Sequence, residues 1–406
     1  MHFHFSFYSS ILLIFFSQGI TLSVLLCKKS LLQSSKPNAW LSLFTFLCSL
    51  YILPWMLGFA GWYSLLPYRD IMFYSPFQQL LLLGPVIYFY TQSLLNPHFA
   101  FTKKQWLHFL PAGLYIIYRF VIFLTDKIIL HRYYFYANGR DKSLDTWYQI
   151  AGVVSMLIYF LLSLRYYAIY KKLLVQTVSF ADTLLFVWIK KYLLSFLVMQ
   201  MLWVLFFFLY PGWGDFKGKW WYYVAFSSVL YYIGITGYAN NVKSVVPFRL
   251  AGAENKVIYL LENTPPDAAN EEMIQLTEES APEANEATEE WKAKIAEVME
   301  AEKLYQNPTL TLADVAKRLG TNPTLVSRMV NQGFGMNFND FINTYRTKAV
   351  IAMLRGGVHK QQTLLGISID CGFNSKTTFN RYFKKFTGLS PKEFIQQLEN
   401  GRLNNT

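Results

Sequence analysis

Apolar residues dominate seven stretches of the chain, over 5–27, 40–61, 72–95, 105–125, 147–168, 192–210 and 219–239. Each approaches the ~20 residues that an α-helix needs to cross a bilayer. A helix that is apolar on every side has no face to offer water, so the pattern predicts membrane spans and not buried core helices. Beyond the last stretch the pattern changes. From Glu262 to Glu290 there are ten acidic residues, three prolines and no basic residue. Such a segment cannot bury a core and reads as a solvated, disordered tether. Helical periodicity returns at Trp291 in WKAKIAEVMEAEKLY and ends at Asn307-Pro308.

Over 309–397 the polar positions fall where helix ends need them. Thr311 and Asp314 have capping-box spacing and open a short helix through Leu319. Gly320 stops it, and Asn322-Pro323 starts a second helix with an N-cap and a proline at the first helical position. That helix runs to about Gln332; Leu325 and Met329 face inward, and Thr324, Ser327 and Arg328 are expected to point outward together. Two short helices joined by a tight turn make a helix-turn-helix, whose second helix enters the major groove. A longer helix follows from Phe338 to Leu354, capped by Asn337 and ended by Gly356-Gly357. The arrangement then recurs: LLGISIDC, a turn at Gly372-Phe373, and a helix capped by Ser375. In this last helix Phe379, Tyr382, Phe383 and Phe386 form one stripe expected to be buried. The other face presents Lys376, Thr377, Asn380, Arg381 and Lys384, and five basic residues but no acidic one lie between Lys376 and Lys392.

The expected architecture is all-α: a seven-helix transmembrane bundle over 1–245, the acidic linker over 246–290, and over 291–406 a soluble α-helical domain with two helix-turn-helix motifs. Composition agrees, with 53% hydrophobic and only 15% charged residues. The net charge of +12 points to nucleic acid, anionic lipid, or charges that orient a membrane protein. Lys28 and Lys29 follow the first span, which lacks a positive leader region, so its N-terminus is expected outside. Loops then predicted inside hold 12 basic residues against 7 outside. This places the chain as a multi-pass protein of the cell inner (plasma) membrane, with the C-terminus in the cytoplasm.

Candidate chemistry inside the membrane is sparse. Arg119, Gln78 and Gln79 fall in the outer half of the predicted spans, where they could line an outward-opening pocket for a polar or anionic ligand of unknown identity. Equally, the arginine could snorkel to headgroups and the glutamines could bond between helices. There is no HExxH or GxSxG motif, and Cys27, Cys48 and Cys371 form no CxxC pair. No enzyme activity, metal or cofactor is expected.

The C-terminal residues are similar to a known family. GFNSKTTFNRYFKKFTGLSPKEF resembles the second helix-turn-helix of AraC/XylS-type transcription regulators, and LADVAKRLGTNPTLVSRMV resembles the first. Arg346 and Ala349 match the Arg and Ala of the family's central helix. The resemblance implies double-stranded DNA as partner, with Thr324, Ser327 and Arg328 of the first unit and Lys376, Thr377, Asn380 and Arg381 of the second at base edges. Arg suits guanine, Asn adenine and Thr a thymine methyl, while Lys384 and Lys385 suit phosphates. Val330-Asn331-Gln332 and Ser368 depart from the family pattern, which leaves more specificity to the second motif. The front end resembles a membrane-tethered branch of the family. Function is therefore expected to be transcription regulation by a bilayer-anchored sensor, with membrane-domain dimerisation as one route for a signal and RNA polymerase a candidate partner of the acidic linker. The alternative is a membrane transporter or receptor whose DNA-binding domain acts only after proteolytic release.

Overall fold

The computed structural model describes residues 4–137, 142, 144–184, 187–209, 217–240, 248–251, 256–259, 272–274 and 286–400. Most of the acidic linker and the loop residues Arg140 and Lys243 lie outside the described residues. The chain forms two compact units, one of Met1–Tyr167 with Val187–Lys243, the other of Ala168–Phe186 with Ser244–Thr406.

The N-terminal helices are α1 (Phe7–Gln33), α2 (Lys36–Phe59), α3 (Tyr68–Tyr74), α4 (Leu80–Leu95), α5 (Leu110–Leu124), α6 (Asp145–Thr177), α7 (Ala181–Leu184), α8 (Val187–Val204) and α9 (Lys219–Ala239); the last turns of α6 and all of α7 belong to the second unit and the rest to the first. Five described helices are long and apolar enough to cross a membrane. Of their most apolar windows, 67% is buried in α2 but only 11% in the helix spanning α5, so α2 is the hub and α5 lies on the outside. Leu110, Leu114, Ile117 and Phe120 of α5 are exposed and form a contiguous apolar surface.

Two predicted spans depart from expectation. The third is broken, because Pro76 has no N–H to continue a helix and forces Ser75 into extended backbone at ψ 130°. Only Leu80–Leu95 remains of it as a continuous apolar helix. The seventh, α9, has the expected 21 residues, but its two Trp and five Tyr leave it less apolar than the five.

In the second unit three short strands, β1 (Phe248–Ala251), β2 (Lys256–Tyr259) and β3 (Glu272–Ile274), pair antiparallel in the order β1-β2-β3. They fall within the stretch read as a tether and are the strands among the described residues. Then come α10 (Glu286–Ala301), α11 (Leu312–Arg318), α12 (Pro323–Phe334), α13 (Phe338–Arg355), α14 (Leu364–Asp370), α15 (Lys376–Thr387) and α16 (Pro391–Glu399).

The helix starts follow from their caps. Thr311 and Asp314 form the reciprocal capping box, and the side chains of Asn322, Asn337 and Ser375 each accept from a backbone N–H three residues on. Two apolar cores result. Ile295, Leu312, Val315, Val326, Val330 and Phe341 anchor the first; Val350, Leu354, Ile367, Phe373, Phe379 and Phe383 anchor the second. Helix α13 contributes to both, so it is the rigid spacer between the two helix-turn-helix motifs.

Candidate nucleic-acid interface

Helix α15 is amphipathic in the simplest way. Phe379, Tyr382 and Phe383 are buried on one side, whereas Lys376, Thr377, Asn380, Arg381, Lys384 and Lys385 are all exposed on the other. Phe386 was expected in the buried stripe but is 48% exposed. It lies one turn past the core, where Phe394 of α16 already packs edge-to-face on Phe383 at 5.3 Å. Tyr382 shows how the buried side is fixed. Its hydroxyl donates to Asn339 Oδ1 and Asp340 Oδ1, each at 2.6 Å. Burial, then the Asp340 carboxylate, pushes the phenol pKa up, so the proton stays on the donor. Asp340 Oδ2 also holds Lys385 Nζ at 2.9 Å, and Arg381 pairs with Asp182.

The first reading helix presents less. Of its three predicted contacts Arg328 is exposed, Thr324 is half-buried with no hydrogen-bond partner for its hydroxyl among the described residues, and Ser327 is only 5% exposed. The reason is helical phase. Ser327 follows Pro323 by four residues and precedes Val330 by three, so it sits on the edge of the buried stripe and not opposite it. Helix α10 and β3 also lie beside α12.

Behind both motifs Arg346 of α13 is 1% exposed. Its guanidinium donates to the carbonyls of Tyr305 (2.8 Å), Asn307 (2.7 Å) and Ser179 (3.2 Å), to Ser179 Oγ (3.0 Å) and to Asn343 Oδ1 (3.2 Å). Burial pulls its pKa down to about 10, which leaves it charged at neutral pH. The sequence marked Arg346 but could not show that Ser179, 167 positions earlier, supplies two of its acceptors. Asp182 was missed as well. Its one sequence signal is that it is the lone acid between Arg165 and Lys191.

In the first unit Arg119 and Gln78 join one network. Arg119 donates to Asp145 (3.2 Å), Tyr136 and the Phe73 carbonyl. Tyr115 also donates to Asp145 and stacks on Tyr148, which donates to the Gln78 carbonyl at 2.9 Å. The Gln78 side chain accepts from Gln149 at 2.8 Å. Gln79 stands apart and donates to the Pro76 carbonyl. The charge of Arg119 is thus matched by Asp145, a partner 26 residues away across a loop. Among the described residues no group of His, Cys, Asp and Glu is arranged to hold a metal.

Residues 315–397 match a family described as a helix-turn-helix domain. Over 101 residues the chain is 27% identical to an uncharacterized HTH-type transcriptional regulator of Staphylococcus aureus (strain COL), covering 25% of this chain and 13% of that protein. It is 27% identical over 88 residues to the uncharacterized HTH-type transcriptional regulator YtdP of Bacillus subtilis (strain 168), covering 22% of this chain and 11% of that one. The chain thus spans only about an eighth of the length of the curated relatives it matches. No solved structure matches it. The C-terminal part is a DNA-binding helix-turn-helix domain of the transcription-regulator kind, and several helices ahead of it are apolar enough to span a membrane.

Proposed function

We propose that the chain is a membrane-anchored, sequence-specific transcription regulator, inserted in the cell inner (plasma) membrane with its C-terminus in the cytoplasm. The observation that carries this reading is the exposed face of α15, six polar or basic side chains with no acid among them, held in fixed phase by a buried aromatic side. The anchoring is supported by the exposed apolar surface of α5, and the orientation by the basic residues of the alternate loops. Arg381 and Asn380 are assigned to base edges and Lys384 and Lys385 to phosphates.

The test is genome-wide crosslinking of the intact protein in the membrane fraction. Discrete promoter peaks that vanish with Arg381→Ala support the reading. Peaks appearing only with a released C-terminal fragment overturn the anchored form of it. On a selected duplex, Arg381→Ala is expected to cost about 1–3 kcal/mol and relax specificity at one base position. Equal losses on selected and random DNA would remove its assigned role. Lys385→Ala is expected to weaken all duplexes alike and lower the salt slope by about 1, read from a salt titration.

A further inference from the structure

Residues Val178–Asp182 follow α6 in sequence yet fold with the C-terminal unit. Ser179 N donates to the Leu310 carbonyl at 3.0 Å, and Val178 bridges antiparallel to Thr311, just ahead of α11. On the other side α13 takes hold of the same backbone. Asn339 Nδ2 donates to the Val178 carbonyl (3.1 Å), Asn343 Nδ2 to the Ser179 carbonyl (3.2 Å), and Arg346 to that carbonyl and to Ser179 Oγ. From Thr177 to Ala181 every residue is buried, Ser179 and Ala181 completely. A segment that satisfies buried donors on three side chains of the central helix is a seated element and not a passing loop. It ends at Asp182, whose carboxylate pairs with the guanidinium of Arg381 on the exposed face of α15.

We propose that Val178–Asp182 is an internal inhibitor of the DNA-binding domain. The inference rests on the reading that α15 faces DNA. Seated, the segment gives Arg381 a carboxylate in place of a base edge or phosphate. It also sets a negative charge where the DNA backbone would approach. Unseated, it frees Arg381 and leaves Arg346 with its Tyr305, Asn307 and Asn343 acceptors alone. The segment lies in sequence between α6 and α8, both apolar enough to span a membrane. A rearrangement of those helices therefore reaches Arg381 through a few residues of backbone and does not have to travel along the acidic linker. Inhibition and release are two populations, and whatever shifts α6 against α8 biases them.

The test uses the full chain in lipid nanodiscs and a fluorescein-labelled duplex that the chain itself selects from a random-sequence pool. Asp182→Asn is expected to bind that duplex roughly fivefold more tightly than the parent, the scale of one partly screened ion pair plus its repulsion of DNA. The gain is expected to shrink to the share from DNA repulsion when Arg381 is already alanine. A second readout is amide exchange: the Ser179 N–H, slow without DNA, is expected to exchange faster at saturating duplex. Unchanged affinity for Asp182→Asn, or a Ser179 amide that stays protected on the complex, overturns the inhibitor while leaving the DNA reading intact. If Arg381→Ala leaves selected-duplex binding unaltered, the assignment of α15 fails first and the inhibitor with it.

Discussion

Arg346→Met is expected to lower the opening free energy of the C-terminal unit by about 3–5 kcal/mol, since each buried acceptor of a charged donor costs on the order of 1–3 kcal/mol when orphaned. Methionine keeps most of the apolar stem and removes the guanidinium. The carbonyls of Tyr305 and Asn307 then face a thioether inside the protein, and the Ser179 carbonyl keeps only Asn343. These groups belong to two separate pieces of chain outside α13, so the loss is not confined to α13. It unties the Leu304–Asn307 turn that leads into the first motif, and the seated segment as well. Amide exchange across α11–α16 of the intact chain is the measurement. A uniform rise in exchange rate means that Arg346 ties the unit together; faster exchange in α13 alone would reduce it to a local contact. Lysine is expected to rescue little, because one ammonium cannot reach acceptors fanned across the plane of a guanidinium.

What could be read from the sequence divides along a physical line. Local chemistry was legible. Thr311, Asn322, Asn337 and Ser375 each cap a helix whose start depends on three or four neighbouring residues, and all four do so in the structure. The exposed face of α15 follows from a 3.6-residue period and was equally visible. Phase at an edge was less so: Ser327 and Phe386 sit where a few tens of degrees, or one turn of helix, decide between buried and open. Long apolar stretches predicted helices, but the third breaks at Pro76 while α2 and α4 continue through Pro54 and Pro85. Least legible were pairings between distant residues. Nothing near Ser179 or Asp182 announces that α13 and α15 will bind them, and nothing near Asp145 announces Arg119. Such contacts are set by where the chain returns in space, which periodicity does not encode.

Gly372→Ala is expected to cost the C-terminal unit about 4 kcal/mol or more, at the upper end for a single methyl group. Gly372 has φ +91°, a region that side chains rarely occupy. The added carbon would also stand 2.4 Å from the Tyr305 carbonyl oxygen and 2.9 Å from Gln306 backbone atoms. Backbone cannot step aside as a side chain tip can, so the turn between α14 and α15 must lift off the Leu304–Asn307 turn. Gly388 supplies the control. It also has a positive φ, +77°, but among the described residues an added carbon there meets nothing within 4 Å, so Gly388→Ala is expected to lose only about 1 kcal/mol from conformation alone. Exchange protection in α14 and α15, read for both variants, separates the steric share from the conformational one. Equal losses would mean that the close approach at Gly372 is unimportant. The functional consequence follows from the same geometry. The Tyr305–Asn307 backbone is held by Arg346 and lies close against Gly372, so it links the second motif to the first. A regulator reading two stretches of major groove needs that spacing held. Gly372→Ala is therefore expected to weaken binding to a duplex carrying both half-sites more than to one carrying the second alone, in a side-by-side titration of the two.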